Sequence, residues 1–336
     1  MCVRSLLVVA IAATLCVCGI FGQDKAAPDE TIKVETRLVS VPTIVSDRNG
    51  RYIPNLTRPD FTVFQDGVEQ KIEFFAAIEE PINVALLIDT SQSTRPVLDD
   101  IKDSAKAFLK LLKPKDRAMV VAFDYETHIL CPLTSDQKQL KQAIENAEIP
   151  PSRMVGTVMR DAVMQTVNGA FRELNGRKAI ILMTDGKDMG SRITQPDLLY
   201  RMQETDTLVY SAMFQTSVMT QQVANRIVRT LGRRGGMMIG GGLPPPPRQG
   251  GPGRMNERAA DYLQELSERT AGRFYVSKDG KLKETFASIV EELRFQYRLG
   301  FYPPDETGQA AEHQLKVKVN RGETVVRSRS TYRPTK

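Results

Sequence analysis

The sequence predicts an α/β fold: a doubly wound, Rossmann-like and mostly parallel sheet, flanked by N- and C-terminal β segments. Apolar runs of strand length alternate with segments of helical periodicity through residues 81–295. Residues 32–80 and 296–334 instead alternate polar and apolar positions, as antiparallel strands with one solvated face do. A chain of 336 residues with 41% apolar content can also bury the cores of about two domains. We expect the flanking segments to form one β-sandwich-like module, because each is too short to bury a core alone.

Residues 1–22 have the features of a secretory signal peptide. Arg4 provides a positive charge, and residues 6–18 form an apolar run too short to span a bilayer comfortably. Gly19 and Gly22 offer small residues for cleavage. An uncleaved anchor is the alternative. The sequence therefore predicts a secreted or periplasmic protein, with no membrane span in the mature chain.

The numbers and positions of cysteine and histidine, and the distribution of charge, argue against a disulfide-linked, a zinc-binding and a nucleic-acid-binding protein. Three of the four cysteines fall in the predicted signal peptide, so only Cys131 remains, and we expect it to be a buried thiol rather than a disulfide partner. His128 and His313 are far apart in strand-like contexts, which argues against a zinc site. The net charge of +6 is spread along the chain, so it indicates solubility and a weak preference for acidic partners, not nucleic acid.

The first flanking segment reads as a series of short strands. Residues 33–46 alternate between polar and apolar types, and residues 47–50 have the composition of a turn. Residues 60–65 are a predicted strand, and Asp66 and Gly67 are a hairpin turn that leads into the next strand.

Residues 81–295 supply the alternating elements. The predicted strands cover residues 82–88, 118–123, 127–133, 178–183, 208–214 and 274–276. The predicted helices cover residues 98–112, 135–147, 157–174, 195–204, 257–270 and 282–295. Ser135 is the expected N-cap of the second helix, and Asn175 and Gly176 are expected to end the third. This order predicts helices on both faces of the sheet.

A glycine- and proline-rich stretch, residues 232–253, interrupts the alternation. Its composition opposes any regular element, so we interpret it as a flexible insertion within the domain. A phosphate-binding glycine loop is the alternative. The stretch lacks the preceding strand and following helix that such a loop requires.

Oxygen-bearing side chains mark the carboxyl ends of two predicted strands. Asp89 ends the first strand of the α/β segment, and Ser91 and Ser93 follow it in a tight loop. Thr157 opens the third helix, and Asp185 ends the strand after that helix. In the usual 3-2-1-4-5-6 strand order, the strands of Asp89 and Asp185 are neighbours at the switch point, where open α/β sheets bind ligands. The five side chains are therefore expected to converge on one crevice.

Two carboxylates and three hydroxyls suit Mg²⁺ or Mn²⁺, which take oxygen ligands and few carboxylates. The sparse negative charge would leave the ion electrophilic enough to accept an acidic oxygen from a partner. Each part alone has a plainer explanation, such as a helix cap or a strand-exit turn. Their combination, in this order and on these elements, predicts a metal site.

Residues 81–295 resemble a von Willebrand factor type A domain, and the site resembles its metal-ion-dependent adhesion site. The matching residues are Asp89, Ser91, Ser93, Thr157 and Asp185. The flanking segments are similar to those of a bacterial exported group, often labelled VWFA-related and typical of acidobacteria. The resemblance implies an exported protein-binding module that captures an Asp or Glu side chain of a protein partner.

Two other functions are compatible with the same residues. A metal-dependent hydrolase would use the ion for chemistry, but no histidine lies near the motif and no nucleophile–base pair is visible, so we do not predict an enzyme. A structural module would use the ion only to stabilise its fold. Chelation separates these functions, because loss of partner binding with the fold retained is expected only of the interaction module.

Overall fold

The computed structural model describes residues 38–77, 80–151, 153–214, 252–277, 282–304 and 311–334. The predicted signal peptide, residues 1–22, lies outside the described residues. So does the predicted insertion, residues 232–253, except for its last two positions. Those two positions belong to a helix, because the chain becomes regular at Pro252, a residue well suited to a first helical turn.

The strands of the described chain are β1 (Val39–Asp47), β2 (Phe61–Gln65), β3 (Val68–Gln70), β4 (Phe74–Ala76), β5 (Ile82–Asp89), β6 (Arg117–Phe123), β7 (Thr127–Thr134), β8 (Arg177–Thr184), β9 (Leu208–Phe214), β10 (Phe274–Ser277), β11 (Gln296–Phe301), β12 (His313–Val319), β13 (Thr324–Ser328) and β14 (Thr331–Tyr332). The helices are α1 (Leu98–Leu109), α2 (Gln137–Glu145), α3 (Met159–Asn168), α4 (Gln195–Met202), α5 (Pro252–Arg269) and α6 (Leu282–Arg294).

The central sheet has the strand order β10-β9-β8-β5-β6-β7. All its neighbouring strands run parallel except β6 and β7. The predicted fold class and the predicted 3-2-1-4-5-6 order are therefore confirmed. Strand β5 lies at the centre beside β8, with Ile88 opposite Met183, so both strands end at the same edge of the sheet.

Two apolar clusters, one on each face, hold the helices against this sheet. The side chains of β5 alternate between them, with Leu86 in one cluster and Leu87 in the other. Helices α1, α2 and α6 cover the first face, and α3, α4 and α5 cover the second. Burial on both faces explains why residues 84–88 of β5 read as an unbroken apolar run rather than an alternating one.

Several helix boundaries differ from the prediction. Helix α2 begins after Asp136, not Ser135, because the Asp136 carboxylate accepts hydrogen bonds from the Lys138 and Gln139 backbone N–H groups. Helix α3 begins at Met159 and ends before Gly169, so the predicted span 157–174 was too long at both ends.

Two predictions for single residues in the strands hold. Cys131 is a buried free thiol in β7. His128 and His313 lie in β7 and β12. No helix among the described residues is long and apolar enough to cross a membrane.

Two antiparallel sheets flank the central sheet, with the orders β13-β1-β11-β4 and β14-β12-β2-β3. Each contains strands from both ends of the described chain. Phe61 of β2, Tyr297 of β11 and Val317 of β12 belong to one shared apolar cluster between the two sheets. Neither flanking segment therefore completes a sheet without the other.

Glu292 of α6 links the flanking strands to the central sheet. Its carboxylate is fully buried and accepts hydrogen bonds from the hydroxyls of Tyr210 in β9 at 2.7 Å and Tyr52 at 3.2 Å. Arg273 pairs with it at 2.8 Å, and Arg327 of β13 pairs with it from a flanking strand. This carboxylate is held by four side chains from separate parts of the fold.

Candidate metal centre

Two buried carboxylates meet at the carboxyl edge of the central sheet. Asp89 is the last residue of β5, and Asp185 directly follows β8. Because these strands are parallel neighbours in register, their ends lie side by side. Asp89 is 0% exposed and Asp185 is 3% exposed. Both carboxylates are therefore buried side by side at this edge.

The Asp89 carboxylate is oriented through both of its oxygens. Oδ1 accepts a hydrogen bond from the Ser91 backbone N–H at 2.9 Å, and Oδ2 accepts one from the Thr184 hydroxyl at 2.7 Å. Burial raises the pKa of Asp89 to about 7, and the nearby negative charge of Asp185 is the second cause. A cation in this place would oppose both effects.

The loop after β5 presents two hydroxyls beside Asp89. The hydroxyl oxygens of Ser91 and Ser93 lie 3.1 Å apart. Thr94 closes the loop, since its hydroxyl donates to the backbone carbonyls of Asp89 and Ser91. The serines are thus held by a short turn whose backbone is fixed to the end of the strand.

Thr157 lies in a β-bridge, not in the first turn of α3. Its backbone N–H donates to the Met189 carbonyl at 3.1 Å, and the Met189 N–H donates back at 2.9 Å. The residue is buried, and its hydroxyl forms no hydrogen bond with any described residue. Thr157 is therefore tied to the loop that begins at Asp185, with an oxygen available for a ligand.

Glycine is required immediately before Thr157. A Cβ added to Gly156 would lie 2.9 Å from the Tyr125 Cβ and 3.0 Å from the Tyr125 Cα. The backbone of Tyr125 cannot move away as a flexible side chain could. The loop carrying Thr157 can approach the end of β6 this closely only because residue 156 has no side chain.

The comparison with protein families identifies the part of the chain that carries this arrangement. The family model of the von Willebrand factor type A domain matches residues 84–187, the part of the chain that runs from β5 to the loop carrying Asp185. This stretch of the chain is similar to a type A domain. No curated protein matches the chain.

Several solved structures have folds similar to that of this chain, among them the following three. BatB from Bacteroides thetaiotaomicron is 17% identical, with a TM-score of 0.43, and the match covers 63% of this chain and 97% of that chain. A von Willebrand factor type A protein from Catenulispora acidiphila is 14% identical, with a TM-score of 0.46, covering 84% and 75%. Proximal thread matrix protein 1 from the mussel byssus, with a zinc-occupied MIDAS motif, is 15% identical, with a TM-score of 0.47, covering 68% and 48%.

Lys187 is a residue of the candidate metal centre that the sequence reasoning missed. Its Nζ lies 2.5 Å from Asp185 Oδ2, and its backbone N–H donates to Asp185 Oδ1 at 3.1 Å. Both oxygens of Asp185 are thus engaged by one residue. Nothing in the spacing of the two residues indicated that the lysine would turn back toward the carboxylate.

The end of β6 contributes a second missed group. Asp124 is buried, and its Oδ2 accepts a hydrogen bond from the hydroxyl of Thr90, the residue after Asp89. His128 Nε2 lies 3.2 Å from Asp124 Oδ1. The expectation that no histidine lies near the motif was therefore wrong. The β6–β7 hairpin returns His128 to this edge, where it pairs opposite Ala122. The short turn predicted between the two strands was the sequence signal for this return.

Proposed function

We propose that this chain is an exported protein-interaction module. Its type A domain binds Mg²⁺ or Mn²⁺ and captures an Asp or Glu carboxylate of a protein partner. The proposed metal ligands are Asp89, Ser91, Ser93, Thr157 and Asp185. The observation that carries the proposal is the full burial of Asp89 beside Asp185, with hydroxyls on the neighbouring loops.

The balance of charge in the crevice supports a bound cation. A buried carboxylate is costly unless a positive charge or several hydrogen bonds compensate it. Lys187 compensates Asp185. Among the described residues Asp89 has no ion pair, only hydrogen bonds from Ser91 and Thr184. When Asp89 is ionised, one negative charge therefore remains for a cation to balance.

The chemistry of the side chains fits a hard divalent ion. Carboxylate and hydroxyl oxygens are ligands of Mg²⁺ and Mn²⁺, and no group of three or more His, Cys, Asp or Glu residues within the described ranges is placed to hold a metal. A set of two carboxylates and three hydroxyls balances the charge of the ion without exceeding it, so the ion can still attract a further carboxylate oxygen. When bound, the ion supplies the electrostatic attraction for an incoming carboxylate, and the chain's own residues fix its position.

Export and domain organisation complete the proposal. Residues 1–22 would direct export to the periplasm or outside the cell. Residues 32–80 and 296–334 would form one module around a type A domain at 81–295, with residues 232–253 as an insertion. The mixed strand order of both flanking sheets supports this division. Membership of the exported, VWFA-related bacterial group remains part of the proposal.

A capture experiment tests the proposed function. Immobilised protein would be exposed to the secreted and cell-surface fractions of the native organism, in Mg²⁺ and in chelator. We expect a bound protein in Mg²⁺ only, and none with Asp89→Asn. The matched control is Asp206→Asn, which alters a paired aspartate elsewhere in the fold.

Urea unfolding of the same samples separates the interaction module from a structural ion. Retention of the fold in chelator together with loss of capture supports the proposal. Unfolding in chelator would instead show that an ion holds the fold together. Capture that is equal in Mg²⁺ and in chelator would contradict the proposal.

Metal-dependent hydrolysis has one observation in its favour, the His128–Asp124 pair beside the site. A carboxylate that orients a half-exposed imidazole is a feature of general-base sites. A panel of chromogenic ester and phosphate substrates, assayed with Mg²⁺ or Mn²⁺, tests this function. Turnover that His128→Gln abolishes would favour the hydrolase over the interaction module.

A further inference from the structure

The loops at the carboxyl edge of the central sheet form one continuous surface around the proposed metal site. Gln92, in the loop after β5, donates from Nε2 to the Pro150 carbonyl at 2.5 Å. The chain from Pro150 continues to Thr157, which bridges to Met189 in the loop after β8. The exposed side chains of these loops therefore lie on the same face as the site.

Three apolar side chains on this face are open to solvent. Met154 is 36% exposed, Val155 is 69% exposed and Met189 is 60% exposed. Val155 and Met154 immediately precede Gly156 and Thr157, and Met189 is the bridge partner of Thr157. Exposed apolar side chains grouped around a ligand site indicate contact with a partner.

Three guanidinium groups lie on the same loops. Arg95 donates from Nη2 to the Gln92 side-chain carbonyl at 2.8 Å, which leaves its charge uncompensated. Across the described parts of the chain, neither Arg95, Arg153 nor Arg192 forms an ion pair. These charges are available to an acidic partner.

The acids of this face offset the three guanidinium groups only in part. Asp188 is paired with Arg160 at 3.1 Å. The Asp161 carboxylate accepts hydrogen bonds from the Arg192 and Ile193 backbone N–H groups. Glu126 and Glu148 remain as exposed acids.

A groove of about 510 Å³ opens beside the site. Val158, the residue after Thr157, and Gly190, the residue after Met189, both line it. Met164 and Ile193 add apolar surface and Arg192 adds a positive charge. The polar part of the lining includes Glu126, Asp161, Gln165 and Asn168. The groove is placed to receive a partner's apolar side chain next to a carboxylate held at the metal.

We propose that this rim docks an acidic and apolar segment of a protein partner, an inference that rests on the proposed function. The rim consists of Arg95, Arg153, Met154, Val155, Met189 and Arg192. The segment presents one Asp or Glu to the metal and places neighbouring apolar side chains on the exposed methionines and valine and in the groove. Further acidic residues of the segment face the three arginines, which steer its approach.

The test uses a library of random linear peptides displayed on phage and selected on the full chain in Mg²⁺. We expect the selected peptides to contain an Asp or Glu with Leu, Ile, Met or Phe within two positions, and an excess of acidic over basic residues. Selection of peptides without that apolar enrichment, or of no peptides, would overturn the proposal.

Variants of the rim then separate its two contributions. The triple change Met154→Ser, Val155→Ser, Met189→Ser should weaken binding of a selected peptide about tenfold. The triple change Arg95→Glu, Arg153→Glu, Arg192→Glu should slow association and reduce its salt dependence. The serine variant should leave Mg²⁺ affinity unchanged, and the glutamate variant should not weaken it, because that change removes positive charge near the ion. If both variants bind the peptide as tightly and as fast as the original chain does, the proposed role of the rim is contradicted.

Matched controls come from the flanking sheets and from the far end of α1. Val68→Ser with Val325→Ser removes exposed apolar side chains elsewhere, and Lys110→Glu reverses a charge at the opposite end of α1. Both should leave peptide binding unchanged. Peptides that bind equally in chelator, yet respond to the rim variants, would support the rim and refute the metal-dependent function.

Discussion

The Lys187 ammonium lies 2.5 Å from Oδ2 of Asp185, so a cation of the chain itself already occupies one side of the candidate metal centre. The Asp185 side chain is almost fully buried, and the Lys187 side chain is only partly exposed. A divalent ion at Asp89 and Asp185 would sit close to this ammonium. The lysine and the ion would therefore compete for the same negative charge.

Replacing the ammonium should strengthen metal binding. We expect Lys187→Met to raise Mg²⁺ affinity about tenfold, because repulsion between like charges a few ångströms apart in a partly buried site is on the order of 1 kcal/mol or more. Titration calorimetry measures the change. Lys178→Met is the control, since Lys178 pairs with Asp206 at 2.6 Å in a comparably buried ion pair. Weaker Mg²⁺ binding by Lys187→Met would mean that the lysine supports the site.

The stability of the metal-free protein should depend on the ionisation of Asp89. Burial and the charge of Asp185 raise its pKa from 3.8 to about 7. The folded state then holds this proton more tightly than the unfolded state, so the stabilisation is complete at low pH and is lost as the pH rises through 7. We expect the free energy of unfolding in chelator to be lower at about pH 8 than at about pH 5, and Mg²⁺ to offset the loss.

Urea unfolding at the two pH values, with and without chelator, measures this dependence. The Asp89→Asn variant has no titrating carboxyl at this position. Its free energy of unfolding in chelator should therefore lack the fall between about pH 5 and pH 8 that Asp89 causes. An identical pH dependence in the variant and the original chain would show that Asp89 does not titrate as described.

The placement of Asp89 and Asp185 could be predicted from the sequence for a physical reason. The central residues of β5 and β8 are buried on both faces, so residues 84–88 and 179–183 read as unbroken apolar runs, each followed within two residues by a carboxylate. The connections between parallel strands allow only a few strand orders. In the usual order β5 and β8 are neighbours, so their carboxyl ends lie side by side.

The surroundings of those carboxylates could not be predicted in the same way. The bridge between Thr157 and Met189 joins two loops that have no periodic pattern. The contact of Lys187 with Asp185 depends on a side-chain conformation within one loop. The pairing of β1 with both β11 and β13 depends on contacts across most of the chain, which local propensity does not encode.

A side chain at position 156 should disturb the site through the backbone. Gly156→Ala would place a Cβ 2.9 Å from the Tyr125 Cβ and push the loop outward, which displaces Thr157. We expect Mg²⁺ affinity to fall about tenfold, as when a residue that positions a metal ligand is lost. The control is Gly322→Ala, where an added Cβ meets nothing within 4 Å. Unchanged Mg²⁺ affinity in Gly156→Ala would remove Thr157 from the ligand set.

Loss of the charge on Glu292 should destabilise the whole fold. Glu292→Gln would leave Arg273 and Arg327 without their buried carboxylate, and we expect the free energy of unfolding to fall by about 3 kcal/mol. Glu291→Gln, an exposed neighbour on the same helix, is the control. Urea unfolding measures both. Equal stability of the two variants would show that the Glu292 network contributes little.

Titration calorimetry of the chain with Mg²⁺ and with Mn²⁺ tests the central claim most directly, with Asp89→Asn and Asp124→Asn as the paired variants. Both aspartates are buried at the same edge of the sheet, but only Asp89 belongs to the proposed ligand set. The account predicts one site per chain, weakened about 100-fold or more by Asp89→Asn because the amide removes the ligand's charge, and changed little by Asp124→Asn. Undiminished binding by Asp89→Asn, or loss of binding only in Asp124→Asn, would contradict it.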